Sequence, residues 1–181
     1  MRIIAGKAKG ISLKTPDGML TRPTADRVKE ALFSIIQFDL PGAKVLDLFA
    51  GTGQLGLEAL SRGAERTVFV DVRKEACLLI KENICRTKME SQTIVVQSDY
   101  KSYLATTKEK FDIILLDPPY AEDFLENSLK IVTEIDILQS GGIIITERPV
   151  EKVLSLDFEG FQRSKDYKYG NTCLTVYRKL S

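Results

Sequence analysis

The chain has 181 residues, a formal net charge of +1, 44% hydrophobic and 28% charged residues, which is the size and balance of one soluble domain and not of a disordered tail. Its longest unbroken aliphatic run is Ile113–Leu116, far short of the roughly 20 apolar residues of a membrane span, and Lys7 and Lys9 break any signal-peptide core, so a cytoplasmic protein is expected. There is no histidine, and Cys77, Cys85 and Cys173 form no C-x-x-C, which excludes Ser-His and Cys-His nucleophile pairs and His-containing metal sites; no metal is expected, and catalysis would rest on carboxylates, backbone groups and a cofactor.

The first forty residues read as a cap: two short strands around Gly6–Gly10, then a helix over about residues 25–38 with Thr24 as its N-cap and Pro23 just before it. From residue 44 onward, short apolar runs alternate with helical stretches. Residues 44–49 read as a strand, Gly51–Gly53 as a turn, and residues 54–62 as a helix. A second strand over 67–70 precedes a helix over 74–87, where Ala76, Leu79, Ile80, Asn83 and Ile84 fall near 3.6 spacing. A third strand covers 93–96, and a fourth, 111–116, is nearly all apolar, as a parallel strand covered on both faces should be. A helix over about 124–135 and a strand over 143–146 follow. Residues 159–167 and 172–178 then flank Tyr169-Gly170-Asn171 as an antiparallel hairpin. The expectation is an α/β protein with an open, mostly parallel sheet, in which residues 1–40 form a dependent cap and 41–181 the main domain. Such sheets bind ligands at the carboxyl ends of their central strands.

Gly51-Thr-Gly-Gln-Leu-Gly56 fits G-x-G-x-x-G between a strand and a helix, and Asp71 stands twenty residues after Gly51 at the end of the second strand. An acid there can accept hydrogen bonds from the hydroxyls of an adenosine ribose. Asp47, four residues before Gly51, would repel a pyrophosphate but suits a ligand carrying a positive amine or sulfonium, such as S-adenosylmethionine (SAM). Asp47-Leu-Phe-Ala-Gly-Thr-Gly53 resembles the first motif of the SAM-dependent methyltransferases. That resemblance implies cofactor contacts from Asp47, Phe49, Gly51, Gly53 and Asp71, with Asp99 similar to the acid that meets the adenine amine.

Asp117-Pro-Pro-Tyr120 closes the fourth strand. An exocyclic amine is a poor nucleophile because its lone pair is delocalised into the ring. Asp117 and the Pro118 carbonyl can accept its N–H bonds, the prolines pre-order those acceptors, and Tyr120 offers a face for an extruded base. The tetrapeptide resembles that of methyltransferases acting on adenine N6, cytosine N4 or guanine N2; the protein-glutamine branch carries Asn at the first place, so Asp117 favours a nucleobase.

Arg22-Pro-Thr-Ala-Asp-Arg-Val-Lys-Glu-Ala-Leu-Phe33, Asp47–Leu60, Asp117–Tyr120 and Tyr169-Gly-Asn-Thr-Cys-Leu-Thr-Val-Tyr177 together resemble the RsmD family of bacterial small-subunit ribosomal RNA guanine-N2 methyltransferases. The resemblance implies a Rossmann-like fold with a seven-stranded sheet. It also implies a guanine in ribosomal RNA as substrate, presented by an assembling subunit, and a monomeric enzyme is expected. Relatives often carry Glu at the ribose position, where this chain has the shorter Asp71.

Charge is uneven: residues 1–30 and 160–181 each carry a net of +4 and the middle −7. The two basic ends could converge on one face to bind a polyanion, and Arg22, Arg27 and Lys29 are the candidate RNA contacts. Three rival readings stand beside this one. A DNA amino-methyltransferase would lack its usual target-recognition region. An NAD-dependent oxidoreductase is disfavoured by Asp47. A non-catalytic nucleic-acid-binding module would leave the cofactor residues without a purpose.

Overall fold

The computed structural model describes residues 1–16, 23–119, 123–154 and 157–181, without the side chains of residues 23–25. Residues 1–13 form a loose hairpin, joined by the Arg2–Ser12 bridge and by Ile3 N donating to Ile11 O at 3.0 Å. Helix α1 (Pro23–Ile35) leads into strand β1 (Lys44–Asp47), helix α2 (Gln54–Ser61), strand β2 (Arg66–Asp71) and helix α3 (Lys74–Thr87). Strand β3 (Thr93–Gln97), helix α4 (Tyr100–Thr106), strand β4 (Phe111–Leu116), helix α5 (Phe124–Glu134) and the long strand β5 (Leu138–Pro149) follow. Strands β6 (Phe161–Arg163), β7 (Tyr167–Tyr169) and β8 (Thr172–Lys179) complete the chain.

The sheet runs β3-β2-β1-β4-β5-β8-β6, parallel through β5 and antiparallel from β8 on. Strands β6 and β7 both pair along the free edge of β8, at Arg178 and at Cys173 respectively, so together they fill one position. The eight strands therefore occupy seven places, as expected, with the hairpin's first arm broken at Ser164–Asp166. Side chains alternate along each central strand between two cores. Val45, Ile113, Leu115, Ile143 and Ile145 meet α1, α2, α3 and the N-terminal hairpin on one face. Leu46, Ile114, Leu116 and Ile144 meet α4 and α5 on the other. This period-two alternation in nearly all-apolar strands is what a sheet covered on both faces requires.

Three expectations need correction. The first helix begins at Pro23, so Thr24 lies within it and not at its N-cap; proline's fixed φ suits the first helical turn. Helix α4 was missed, although Asp99 caps it by accepting from Ser102 N at 3.0 Å and Tyr100, Tyr103 and Leu104 give it an apolar side. Strand β5 starts at Leu138 and runs through Gly141-Gly142, longer at both ends than the expected 143–146. Gly141 adopts φ +73 there, and glycine lets a strand pass through such an irregularity without ending.

Candidate active site

Strand order reverses between β1 and β4, and the cavity opens at the carboxyl ends of β2, β1 and β4, at that switch point. Its volume is about 1050 Å³, and its walls include Asp47, Phe49, Gly51, Asp71, Val72, Asp99 and Asp117. That is the upper range of small-molecule sites and leaves room for a nucleoside cofactor beside a base.

The glycine loop is folded by contacts the strands dictate. Ala50 N donates to Val70 O at 3.0 Å and Gly53 N to Ala50 O at 2.7 Å, which turns the chain sharply into α2. Gly53 stands at the start of α2 with φ +78, a conformation that costs a residue with a Cβ. At Gly51 a Cβ would meet nothing within 4 Å, so its position borders open cavity. Gly56 works differently: a Cβ there would lie 2.7 Å from Thr67 Cγ2, so this glycine lets α2 seat closely on β2.

Asp47 is buried, and its Oδ2 accepts from Gly56 N at 3.0 Å. Burial pushes its carboxyl up to about 7; the Gly56 amide opposes the rise, and Asp117 and Asp71 add to it. Burial likewise pushes the Asp117 carboxyl up to about 6. Pro118 is buried behind it and Pro119 is exposed. Asp71 is 7% exposed, and Gly51 N donates to its Oδ2 at 2.9 Å. Arg73 donates to Asp71 three times, from N at 2.9 Å, Nε at 3.1 Å and Nη2 at 3.1 Å. Asp99 is held at the head of α4, where the hydrogen bonds from Ser102 keep its carboxyl below the usual range.

Phe49, Tyr100 and Phe124 form an aromatic cluster on the cavity wall, with centroids 5.3, 6.3 and 5.9 Å apart. Of these only Phe49 was anticipated. Phe124 and Asn127, one helical turn apart at the start of α5, and Glu147 at the end of β5 also line the cavity. The signal for the first two was their position just past the Asp117 loop. Met1 lines the cavity as well and accepts from Thr52 Oγ1 at 3.2 Å, so the N-terminal hairpin helps to build the site.

Among the expected site residues, Asp47, Phe49, Gly51, Asp71, Asp99, Asp117 and Pro118 border one cavity, with Gly53 behind the loop. Tyr120 and Arg22 lie outside the described residues. Arg27 is exposed on α1. Lys29 requires a correction: it is 3% exposed, its Nζ donates to Arg2 O at 2.6 Å and pairs with buried Glu58 at 3.6 Å. A cation so enclosed fastens the N-terminal hairpin and cannot reach RNA. Arg178 and Lys179 lie by the start of β5, paired with Asp39 and Asp136, at the end of the sheet away from the cavity.

The cavity fits SAM. Asp71 borders it at the end of β2, Gly51 leaves the wall free of a Cβ, and the carboxyls of Asp47 and Asp117 lie on the same wall. Among the described residues no His/Cys/Asp/Glu group could hold a metal.

Comparison with known proteins agrees with this geometry. The family profile described as conserved hypothetical protein 95 matches residues 1–178. A Bacillus subtilis (strain 168) protein, YlbH, whose name proposes an rRNA methyltransferase, is 37% identical over 99% of this chain and 99% of its own. The ribosomal RNA small subunit methyltransferase D of Escherichia coli (strain K12) is 31% identical over 99% of this chain and 90% of its own. The solved Escherichia coli chain yhhF, described as a proposed methyltransferase, superposes with a TM-score of 0.90 at 29% identity, covering 100% of this chain and 98% of that one. The chain belongs to the conserved hypothetical protein 95 family, the RsmD family of Rossmann-like methyltransferases.

Proposed function

We propose that this protein transfers the methyl group of SAM to the exocyclic N2 amine of a guanine in small-subunit ribosomal RNA. The observation that carries the reaction class is the sharing of one cavity by the acid-and-glycine wall of β1 and β2 and the Asp117-Pro118-Pro119 loop of β4. Ribosomal RNA as substrate is supported by the relatives' names, and guanine by the likeness of the motifs to the RsmD family.

The cofactor supplies an electrophilic methyl group on a positively charged sulfur. When it is bound, Asp71 would accept from the ribose hydroxyls, Asp99 would take the adenine amine, and Asp47, Phe49 and the Gly51–Gly53 loop would hold the remainder. Asp117, with the Pro118 carbonyl, accepts both N–H bonds of the target amine and aims its lone pair at the methyl carbon. The bound cofactor would supply the methyl group and keep the electron pair of its C–S bond, and the nitrogen's extra proton would leave to the Asp117 carboxylate or to water. Tyr120, next in sequence after the loop, takes the face of the extruded base, while Arg22 and Arg27 take flanking phosphates. The substrate is an assembling subunit, and the enzyme acts as a cytoplasmic monomer.

The test is transfer of labelled methyl from SAM to small-subunit ribosomal RNA, on naked transcript and on unmodified subunits, followed by digestion to nucleosides. Label in N2-methylguanosine is expected. Label in N6-methyladenosine or N4-methylcytidine would overturn the base assignment, and no incorporation on either substrate would overturn the function.

A further inference from the structure

The sheet edge formed by β6 and β7 carries cations that no acid among the described residues pairs. Asp166 is the one acid in residues 160–181, and it is already engaged. Arg148 Nη2 donates to it at 2.7 Å, Thr175 Oγ1 at 2.7 Å and Arg163 Nη2 at 3.1 Å. Arg178 and Lys179 spend their charge on Asp39 and Asp136 at the far end. Lys165 and Lys168 remain: both are exposed, and neither has an acidic partner among the described residues.

Register fixes where these two lysines stand. Glu147, on the cavity wall, is opposite Leu174, and Leu174 is opposite Tyr167. Two inter-strand spacings separate Tyr167 from the cavity wall, about 10 Å. Lys165 Nζ lies 5.5 Å from the Tyr167 ring centroid, and Tyr167 and Tyr169 are half-buried against the core that α1 also covers. Lys165, Tyr167, Lys168 and Tyr169, with the engaged Asp166 between the first two, thus occupy the outer edge of the sheet at the cavity's end.

We infer that strand β7, with Lys165 and Lys168, is the docking edge for the RNA strand flanking the methylated nucleotide. The occupant follows from charge: two uncompensated cations beside half-exposed rings suit phosphates and unstacked bases, the pattern of single-strand binding. The inference rests on the ribosomal RNA substrate proposed above and assigns where that RNA lies.

The test compares Lys165→Gln/Lys168→Gln with wild type for binding to transcribed small-subunit ribosomal RNA across a salt series, with SAM affinity as a second readout. Loss of two phosphate contacts should flatten the log–log salt slope by about 1.4 and weaken binding about 25-fold at 0.1 M salt. SAM affinity should not change. Lys88→Asn/Lys108→Gln, which removes two exposed cations preceding the starts of β3 and β4, should retain the wild-type slope. Lys165→Arg/Lys168→Arg should retain binding, which separates charge from folding. An unchanged slope in Lys165→Gln/Lys168→Gln, with wild type still methylating, would overturn the docking edge alone. Wild type that neither binds nor methylates the RNA would overturn the function as well. A change in self-association on sedimentation, with RNA binding intact, would make this edge a contact between copies and overturn the inference.

Discussion

Asp71 meets four N–H donors, of which three belong to Arg73, a side chain 64% exposed. A ribose diol bound to Asp71 must take the place of the guanidinium, so the two compete. Arg73→Ala should therefore tighten SAM binding, by up to about fivefold because exposed ion pairs are worth roughly 0–1 kcal/mol. Asp71→Ala should weaken it by about 1.5–3 kcal/mol, the range for a hydrogen bond to a charged group. Calorimetric titration checks both; weaker binding in Arg73→Ala would make Arg73 a cofactor ligand and not a competitor. The proposed role of Asp117 is on the other partner. Burial pushes its carboxyl up to about 6, and the protonated form is the weaker acceptor and cannot take the amine's proton, so single-turnover methyl transfer should rise with pH through about 6 and level off above. Asp117→Ala should abolish that rise and lower transfer roughly 10²–10⁴-fold, with SAM affinity near normal. Full transfer by the variant would remove Asp117 from the chemistry.

At the scale of elements, α2 does two jobs. Its N-terminus carries the glycine loop, and its buried Glu58 fastens the N-terminal hairpin. Glu58 accepts from Ile4 N at 2.8 Å, Ala5 N at 3.0 Å and Arg62 Nε at 2.8 Å, and pairs with Lys29. Glu58→Ala would leave Lys29 enclosed without its counter-charge, a loss of about 3–5 kcal/mol in urea unfolding. Because Met1 lines the cavity, SAM affinity should fall too, and Glu58→Gln should restore part of both. A change below about 0.5 kcal/mol would contradict the account. Nothing local announces this arrangement: Lys29 sits among other charges in sequence, and its partner is 29 residues on. Elements with strong periodicity were legible to the residue, as with α3 and β4. The seven-residue α4 was missed because it is short, and β5 was shortened because two glycines in a strand look like a turn.

For the whole molecule, strand order does what neither loop could do alone. The glycine loop follows β1 and the Asp117-Pro118-Pro119 loop follows β4, and these strands are neighbours although their register partners Val45 and Ile113 are 68 residues apart in sequence. The candidate site was therefore legible as two motifs in sequence, and the fold supplies their common cavity. The aromatic wall of Tyr100 and Phe124 was not legible, because those residues meet Phe49 only when α4 and α5 pack on one face. The most direct measurement is mass mapping of small-subunit ribosomal RNA from cells carrying the gene, lacking it, and complemented with wild type or Asp117→Ala. The account predicts that one guanine loses a single N2 methyl group in the deletion, regains it with wild type, and stays unmodified with Asp117→Ala. An identical modification map in all four strains would contradict it.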